Sequence, residues 1–242
     1  MAIATNSGHV SRALDFYNKP GKYFSVGRTT PWDNETVPPA PSVSAYKIEE
    51  LIALKKVDNV HLVVEDPENG SIVYKDSKWR IVQPEIVASV GSGGVSAGSY
   101  SVSISSLTSI VVGIKLRINS VYEGKVISVN TSTSTVTLDT AAPEFIPEGS
   151  TVLGGAYVEQ AKYVYVSCTL SYNNFPTDIS YRQVGLHTEV LPNNVDVLRS
   201  AEHSPTSSNE YTSLGNLEII DNRSPVTRTE DQAEGISVII EF

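Results

Sequence analysis

The sequence predicts a mainly β protein with two short helices near its N-terminus and an inserted small β-barrel or roll. Three observations support this fold class. Ser, Thr, Val, Ile and Tyr are abundant, which favours strands over helices. Residues 163–190 alternate between apolar and polar side chains, as half-buried strands do. Residues 87–157 are rich in Ser, Thr, Gly and Val and contain several short alternating runs separated by turn residues.

The strand pair in residues 163–190 organises the rest of the predicted sheet. The run from Tyr163 to Tyr172 has a dry face and a wetter face. Asn173 to Asp178 interrupts it, because Asn, Pro and Asp favour turns. A second run, Ile179 to Val190, follows the interruption. The dry face of the first run carries Val164, Val166, Cys168 and Leu170, and the wetter face carries Tyr163 and Tyr165.

Two helices are expected before residue 56. In the first, residues 8–18, apolar side chains recur at helical spacing, and a Pro-Gly pair at Pro20 and Gly21 stops the helix. An extended stretch with Pro38, Pro39 and Pro41 cannot continue a central strand. Ser44 can cap the second helix, in which helical spacing is shared by Ile48, Leu51, Ile52 and Lys55.

Other segments predict short strands. Tyr23 to Arg28 predicts one strand, and His61 to Glu65 with Ser71 to Tyr74 predicts a hairpin, because Asn69-Gly70 is a strong turn signal. The polar segment from Asn193 to Thr212 is expected to be a long loop or arm. Further strands are expected at Trp79–Val82, Gly215–Asp221 and Gly235–Phe242.

Residues 87–157 are interpreted as an inserted β module. The composition changes at both ends of this region, and turn residues separate its apolar runs. Several short strands at this spacing favour a compact barrel or roll. Disorder is the alternative for Ser- and Gly-rich sequence, but the regular alternation of Val, Ile and Leu argues against a linker. The expected strands are Tyr100–Leu107, Lys115–Ile118, Lys125–Val129 and Thr135–Leu138.

Charge and cysteine content exclude several function classes. The net charge is −9, and no cluster of Lys and Arg is present, so nucleic acid and anionic membranes are unsuitable partners. No run approaches the roughly 18 apolar residues that span a bilayer. The single cysteine cannot form an internal disulfide. We expect a soluble protein that folds in a cytoplasm or enters an assembly there.

No catalytic or metal-binding pattern is visible, and no cofactor is expected. Cys168 shares its face with apolar residues and is interpreted as a core cysteine. His187 is expected on a sheet surface, and the four histidines show no zinc-ligand spacing. Glu65, Asp66 and Glu68 lack calcium-loop spacing and are interpreted as a solvated turn.

Three stretches are similar to one family. Leu14 to Asn18, followed by Tyr23 to Trp32, resembles the start of the dimeric baseplate wedge subunit of contractile-tailed phages of the T-even type. Tyr181 to Leu186 resembles the aromatic-Arg-Gln strand of that family. Leu217 to Pro225 and the closing run Thr229 to Phe242 resemble its C-terminal segment. The resemblance covers residues 8–86 and 158–242 and leaves the predicted insert outside.

The resemblance implies fold, assembly and location. It implies an antiparallel β-sandwich core built from residues 1–86 and 158–242, interrupted by the module at residues 87–157. It also implies a homodimer without enzymatic activity, in the baseplate of a virion tail that assembles in the host cytoplasm. The implied partners are a second copy and other baseplate wedge proteins.

The motif residues of this resemblance suggest structural roles. We expect Gly27 to let the chain leave its strand and Arg28 to anchor that exit through its guanidinium. The tyrosine face of Tyr163 and Tyr165 is a candidate partner interface. The remaining motif residues, expected to support loops and turns, are Pro31, Trp32, Arg182, Gln183, Asn222, Arg223 and Pro225.

Two other function classes stay open. A carbohydrate-binding or host-adhesion protein of a tail would use exposed Trp or Tyr side chains to stack on sugars. A hydrolase with a dispersed site would have to place a nucleophile and a base in ordinary sequence contexts. Saturable glycan binding would identify the first, and loss of turnover on replacing a single Ser or His would identify the second.

Overall fold

A computed structural model describes residues 3–170, 178–193, 211–229 and 231–242 of the chain. It is mainly β, with several antiparallel sheets and one nearly closed, barrel-like sheet. The helices are α1 (Asn6–Asn18) and α2 (Ala156–Glu159). The strands are β1 (Tyr23–Gly27), β2 (Ala53–Lys56), β3 (Asn59–Glu65), β4 (Ile72–Tyr74), β5 (Ser77–Val82), β6 (Glu85–Ser89), β7 (Ser101–Ser103), β8 (Lys115–Ile118), β9 (Tyr122–Asn130), β10 (Thr135–Leu138), β11 (Thr151–Gly155), β12 (Tyr163–Leu170), β13 (Ile179–Thr188), β14 (Leu191–Pro192), β15 (Tyr211–Ser213), β16 (Asn216–Arg228) and β17 (Glu234–Glu241).

The chain divides into two compact units. The first comprises residues 1–17, 61–165 and 239–242, and the second comprises residues 18–60 and 166–238. In the first unit, α1 buries Val10, Ala13 and Phe16, and the Phe16 ring lies 5.2 Å from the ring of Phe242. Neither helix in the described part of the chain has the length and hydrophobicity to cross a bilayer.

The barrel-like sheet of the first unit has the strand order β6-β11-β8-β9-β10-β7. A bridge between Val90 and Ile104 joins the continuations of β6 and β7, which are the two outer strands. The predicted apolar runs form β7 to β10, and their alternate side chains point into one core, so the barrel-like arrangement was predicted correctly. That core contains Ile86, Val102, Ile104, Leu116, Ile118, Val126, Val136, Leu138, Ile146 and Val152.

A five-stranded sheet has the order β17-β12-β3-β5-β4. The predicted alternation in β12 is confirmed, because Val164, Val166, Cys168 and Leu170 are buried. The predicted hairpin of β3 with β4 is wrong, since β5 lies between them. The prediction fails because the chain turns at a different place. Lys75 and Asp76 both have positive φ, and a tight two-residue turn of this kind joins β4 directly to β5.

The second unit contains a four-stranded antiparallel sheet with the order β16-β13-β1-β2. Every residue of β1 is buried, as expected for an inner strand. The strand predicted at Ile179 is confirmed as β13. The predicted turn from Asn222 to Pro225 is wrong, because these residues lie within β16. Pro225 is tolerated there because β16 is an edge strand and its pairing with β13 shifts register between Tyr181 and Gln183.

The second predicted helix is also wrong. Residues 44–52 form irregular structure with short turns, and β2 pairs with β1 at Ala53–Lys56. The backbone groups that a helix would use are engaged elsewhere, since Ile52 N–H donates to the Val26 carbonyl at 2.9 Å. Glu50 has φ of 45°, which a right-handed helix cannot contain. Non-local pairing with β1 therefore overrides the helical spacing of the apolar residues.

A short two-stranded sheet, β14 with β15, completes the second unit. Tyr23, Leu54 and Val190 form a small buried cluster against which Tyr211 and Leu214 pack. Most of the predicted polar arm, residues 194–210, lies outside the described residues. Residues 171–177, which were predicted to connect the strands now named β12 and β13, also lie outside the described residues.

Candidate functional site

The candidate site is the loop of residues 28–52, which joins β1 to β2 in the second unit and has no helix or strand of its own. We call it the β1–β2 loop. Its two ends stay close after the strands end, because Arg28 N–H donates to the Glu49 carbonyl at 2.7 Å. Long loops without secondary structure in compact proteins are commonly functional. The contacts at the base of this loop involve most of the motif residues singled out in the sequence.

Gly27 ends β1 and allows the returning loop to approach closely. A β-carbon built there would lie 2.4 Å from Cγ2 of Ile48 and 2.5 Å from the carbonyl oxygen of Glu49. Arg28, and not Gly27, adopts the left-handed conformation at the strand exit, with φ of 56°. The structure therefore gives Gly27 a steric reason in place of the expected conformational one.

Arg28 and Trp32 form a stacked pair at the start of the loop. The guanidinium carbon of Arg28 lies 3.7 Å from the centre of the Trp32 ring, a cation–π arrangement. The same guanidinium forms an ion pair with Glu49 at the other end of the loop. Trp32 is 9% exposed, and its indole Nε1 donates a 2.9 Å hydrogen bond to the carbonyl of Arg223 on β16. Pro31 itself is exposed.

Arg182 of β13 holds the first half of the loop. Its Nε and Nη2 donate to the carboxylate of Glu35 at 2.7–3.0 Å, and its Nη1 donates to the Thr29 carbonyl at 2.6 Å. Arg182 is buried, and its hydrogen bonds lower the pKa of Glu35. A guanidinium bound through several donors fixes both position and angle of its partner.

Gln183 and Asn222 continue the same support across the sheet. Strand register places Gly27 opposite Gln183 and Gln183 opposite Asn222, so the three residues form one row across β1, β13 and β16. The Gln183 side chain accepts from Glu49 N–H at 2.9 Å and donates to Asn222 at 2.9 Å. Asn222 in turn donates to the carbonyl of Pro39 at 2.9 Å. This row fixes both the end and the middle of the loop.

Glu50 joins the two ends of the loop a second time. Its carboxylate accepts hydrogen bonds from the backbone N–H groups of Thr29 and Thr30 at 2.8 and 3.0 Å and from both threonine hydroxyls. These side-chain and backbone donors lower the pKa of Glu50 to about 2. We call the whole set of base contacts the loop clamp. Its members are Arg28, Thr29, Thr30, Trp32, Glu35, Glu49, Glu50, Arg182, Gln183 and Asn222.

The acidic members of the loop clamp were missed in the sequence. Glu35, Glu49 and Glu50 flank the Pro-rich stretch, one before it and two after it. The sequence did contain one signal. Acidic residues stand on both sides of the Pro-rich stretch, and a predicted strand contains the adjacent pair Arg182-Gln183. Sequence alone does not show which strand faces the loop, so these partners could not be assigned.

The structure separates the remaining motif residues from the loop clamp. Arg223 contributes its backbone carbonyl, whereas its side chain pairs locally with Asp221 at 2.8 Å. Pro225 is exposed on β16. Tyr163 and Tyr165 belong to the first unit and are half-buried. The Tyr163 ring packs 5.0 Å from Trp79, and its hydroxyl donates to Glu241 at 3.1 Å.

A buried Ser–His pair is the nearest arrangement to a nucleophile. His187 Nε2 lies 3.0 Å from Oγ of Ser25, and its Nδ1 lies 3.2 Å from the carbonyl of Leu214. Because a carbonyl only accepts, Nδ1 carries the proton and Nε2 accepts from Ser25. The expected surface position of His187 is wrong, since both residues are at most 1% exposed, and burial lowers the histidine pKa. A pair enclosed in this way joins β1 to β13 and cannot reach a substrate.

A buried ionic cluster lies in the first unit beside a cleft of about 400 Å³. Arg80 donates to Asp66 at 2.8 Å and to both carboxylate oxygens of Glu159 at 3.0 and 3.2 Å. Burial would raise the pKa of Asp66, but hydrogen bonds from the Asn69 backbone and from Arg80 bring it below its usual value. Arg80 pairs with both carboxylates, and backbone N–H groups of Asn69 and Lys115 donate to Asp66 and Glu159, which indicates a structural role. No group of three or more His, Cys, Asp or Glu suited to a metal ion occurs in the part of the chain that the structure describes.

Comparison with known proteins gives two findings. A family model described as "Baseplate wedge 3 tail fiber network component" matches residues 1–92 and 130–242 of this chain. Virion protein 3 of the Enterococcus phage phiEF24C is 28% identical to it over 232 residues, which cover 96% of this chain and 90% of the relative. The matched ranges of the family model include every residue of the loop clamp.

Proposed function

This chain belongs to the baseplate wedge 3 tail fiber network component family of phage tail structural proteins, and from that membership we propose that it is a wedge protein that dimerises and links neighbouring baseplate subunits. Its proposed partners are a second copy and other baseplate wedge proteins. We propose that it acts without catalysis, cofactor, nucleic acid or membrane, and that it assembles into the tail in the host cytoplasm.

The observation that carries this proposal is the convergence of the motif residues on the loop clamp. Arg182, Gln183 and Asn222 lie far apart in the sequence from Arg28 and Trp32, yet all of them hold one loop. Their donors are directed at backbone carbonyls, carboxylates and the Asn222 side-chain amide oxygen of the same chain. These hydrogen bonds fix the conformation of the loop. A structural protein that binds its neighbours benefits from such a preformed surface.

The barrel-like sheet is consistent with the same proposal. We propose that residues 87–157 form a module inserted into a sandwich-like domain of residues 1–86 and 158–242. In support, the barrel-like sheet runs from Glu85 to Gly155 and has a core of its own. The family model also leaves residues 93–129 unmatched, which lie inside that sheet. We propose that the module makes an outward contact in the tail.

Sheet edges offer the means of contact. β16 and β2 are the edge strands of the four-stranded sheet, and β16 runs from Asn216 to Arg228. A neighbouring chain can extend such an edge through backbone hydrogen bonds. A stable interface buries about 1,200 to 2,000 Å² in total, so more than one surface would contribute. The tyrosine face of Tyr163 and Tyr165 remains a proposed part of it.

Two measurements on the wild-type protein test the proposal. Light scattering of the purified chain should give a mass near twice 26.1 kDa. Cross-linking mass spectrometry of intact phage particles should join this chain to other tail proteins. A monomeric chain would contradict the dimer, and absence of the chain from purified tails would contradict the wedge assignment.

Neither tryptophan is exposed enough in the structure to stack on a sugar, which weakens the carbohydrate-binding alternative. Trp32 is buried in the loop clamp, and Trp79 is half-buried against Tyr163. A sugar-stacking platform needs an exposed aromatic face, which leaves exposed tyrosines such as Tyr100. A glycan-array screen of the purified chain tests this alternative directly, and saturable binding lost on replacing Tyr100 would revive it.

A further inference from the structure

The middle of the β1–β2 loop, residues 36–46, projects apolar side chains into solvent. Val37 is 68% exposed, Val43 is fully exposed and Tyr46 is 79% exposed. All other residues of this segment are exposed except Pro38 and Ala45, which are half-buried. Burying exposed Val and Tyr side chains is favourable, and the isolated chain leaves that gain unused. We call residues 36–46 the loop crest.

Contacts at its two ends and at Pro39 hold the loop crest in place, although few of its residues are buried. Buried Arg182 and Trp32 fix the chain before it, and Gln183 fixes Glu49 after it. Asn222 fixes the crest itself through the carbonyl of Pro39. Ordering a loop costs conformational entropy, and the crest buries little in return, since only Pro38 and Ala45 are half-buried. A loop that is ordered while its apolar side chains stay exposed can bind a partner at a lower entropic cost.

The chemistry of the loop crest defines the partner. Its sequence, TVPPAPSVSAY, contains no charged side chain, and the nearest cation along the chain is Lys47, whose Nζ lies 5.7 Å from the centre of the Tyr46 ring. Three prolines at Pro38, Pro39 and Pro41 restrict φ and favour an extended polyproline conformation. Extended Pro-rich segments bind in shallow grooves lined by aromatic side chains. Valine and tyrosine side chains on either side of the prolines add apolar contact.

We propose that the loop crest docks into an aromatic-lined groove on a different protein of the same phage tail. This inference rests on the proposed structural function and names the contacting segment and the chemistry of its partner. The loop clamp presents the segment in its bound conformation, and Val37, Val43 and Tyr46 fill the groove. The clamp residues are positioning residues, because they act through the crest and do not touch the partner.

The test uses full-length chain in phage particles whose own copy is interrupted by an amber codon. The triple variant V37S/V43S/Y46S removes the apolar side chains, and the control I3S/V73S/L191S removes three exposed apolar side chains that lie outside both the loop and residues 87–157. We expect the crest variant to melt as the wild type does but to fall at least roughly tenfold in copies per purified tail, since loss of central apolar anchors usually costs that much affinity. The control variant should keep its copy number. Equal loss in both variants, or no loss in either, would overturn the proposal.

A photo-reactive benzoylphenylalanine in place of Tyr46 identifies the partner in the same particles. Light should join position 46 to another tail protein within a peptide that contains Trp, Tyr or Phe. Adducts only to a second copy of this chain, or no adduct in tails that contain the chain, would overturn the proposal. Wild-type chain missing from purified tails would instead contradict the proposed function. Wild-type and crest variant present in equal amounts would contradict this inference alone.

The proline pair supplies an independent variant. P39A/P41A keeps all three apolar side chains and removes the φ restriction of two residues, together with their ring atoms. Because two such restrictions are lost through the flexible state, we expect binding to the tail to weaken roughly four- to thirtyfold. Unchanged incorporation of this variant would contradict recognition of a polyproline conformation.

Discussion

The indole Nε1 of Trp32 donates a 2.9 Å hydrogen bond to the backbone carbonyl of Arg223, which lies 191 positions further along the chain. The bond joins the β1–β2 loop to the edge strand β16. Both residues belong to the motifs that resemble the baseplate wedge family. The carbonyl of Arg223, and not its guanidinium, makes the contact. Strand and loop therefore depend on each other for their positions.

The first prediction concerns that hydrogen bond. W32F keeps most of the buried ring but removes the donor, and we expect it to lower the free energy of unfolding by about 1–2 kcal/mol, because the Arg223 carbonyl loses its partner. The measurement is urea denaturation of the purified chain. Trp79 provides a matched control, since its Nε1 is buried without a hydrogen-bond partner among the described residues. A loss in W79F as large as that in W32F would contradict the assigned role of the bond.

The second prediction concerns the steric role of Gly27. G27A would place a β-carbon 2.5 Å from the carbonyl oxygen of Glu49, and a backbone atom cannot move aside as a flexible side chain can. We expect a loss of about 1–3 kcal/mol from overpacking, measured by thermal and urea unfolding. Gly235 has no atom within 4 Å of a built β-carbon, so G235A should leave stability nearly unchanged. Equal stability of the two variants would rule out the close approach.

The third prediction compares two arginines of the resemblance. R182A should lower the free energy of unfolding by about 1–3 kcal/mol, since Arg182 is buried and donates to Glu35 and Thr29. R223A should change it by less than about 0.5 kcal/mol, because its pair with Asp221 is local and exposed. A double-mutant cycle of R182A with E35A isolates the coupling between the two side chains, which we expect to be stabilising. A cycle with no coupling would show that the two side chains act independently.

The fourth prediction concerns pH. The pKa of Glu50 is lowered from 4.5 to about 2 in the folded chain. A lowered folded pKa stabilises the fold at pH above the unfolded value, and this stabilisation is lost as pH falls through the folded value. The stability difference between wild type and E50Q should therefore be constant above about pH 5 and shrink as pH falls from 4.5 toward 2.

Urea denaturation at a series of pH values measures this difference. T29A/T30V removes the hydroxyl donors to Glu50 and should reduce the pH dependence while leaving the charge of the chain unchanged. A wild-type-minus-E50Q difference that grows on acidification would contradict the sign of the effect. The remaining carboxylates titrate in both proteins and cancel in the comparison.

The sequence contained enough information for the strands whose signals are local. The two-residue alternation in β12 and the turn residues between β7 and β10 each lie within one short segment, and the structure confirms both. The Pro-rich stretch at Pro38 to Pro41 was also correctly expected to lie outside a central strand. In each case neighbouring residues alone determine the conformation.

Features decided by distant pairing could not be predicted. Residues 53–56 form β2 because β1 offers a free edge, although the apolar spacing around Leu51 fits a helix. Pro225 lies in a strand because β16 is an edge strand with a register shift. The loop clamp depends on the register that aligns Gly27, Gln183 and Asn222. A single sequence contains no direct record of such a register.

The burial of Cys168 in β12 makes this protein a convenient substrate for site-specific labelling. It is the only cysteine in the chain and is 2% exposed, so maleimide reagents should react with it slowly. A cysteine introduced at Val43, which is fully exposed, would be the fast-reacting thiol. A solvent-sensitive fluorophore attached there would report entry of the loop crest into a groove in real time, without a cysteine-free background having to be engineered first.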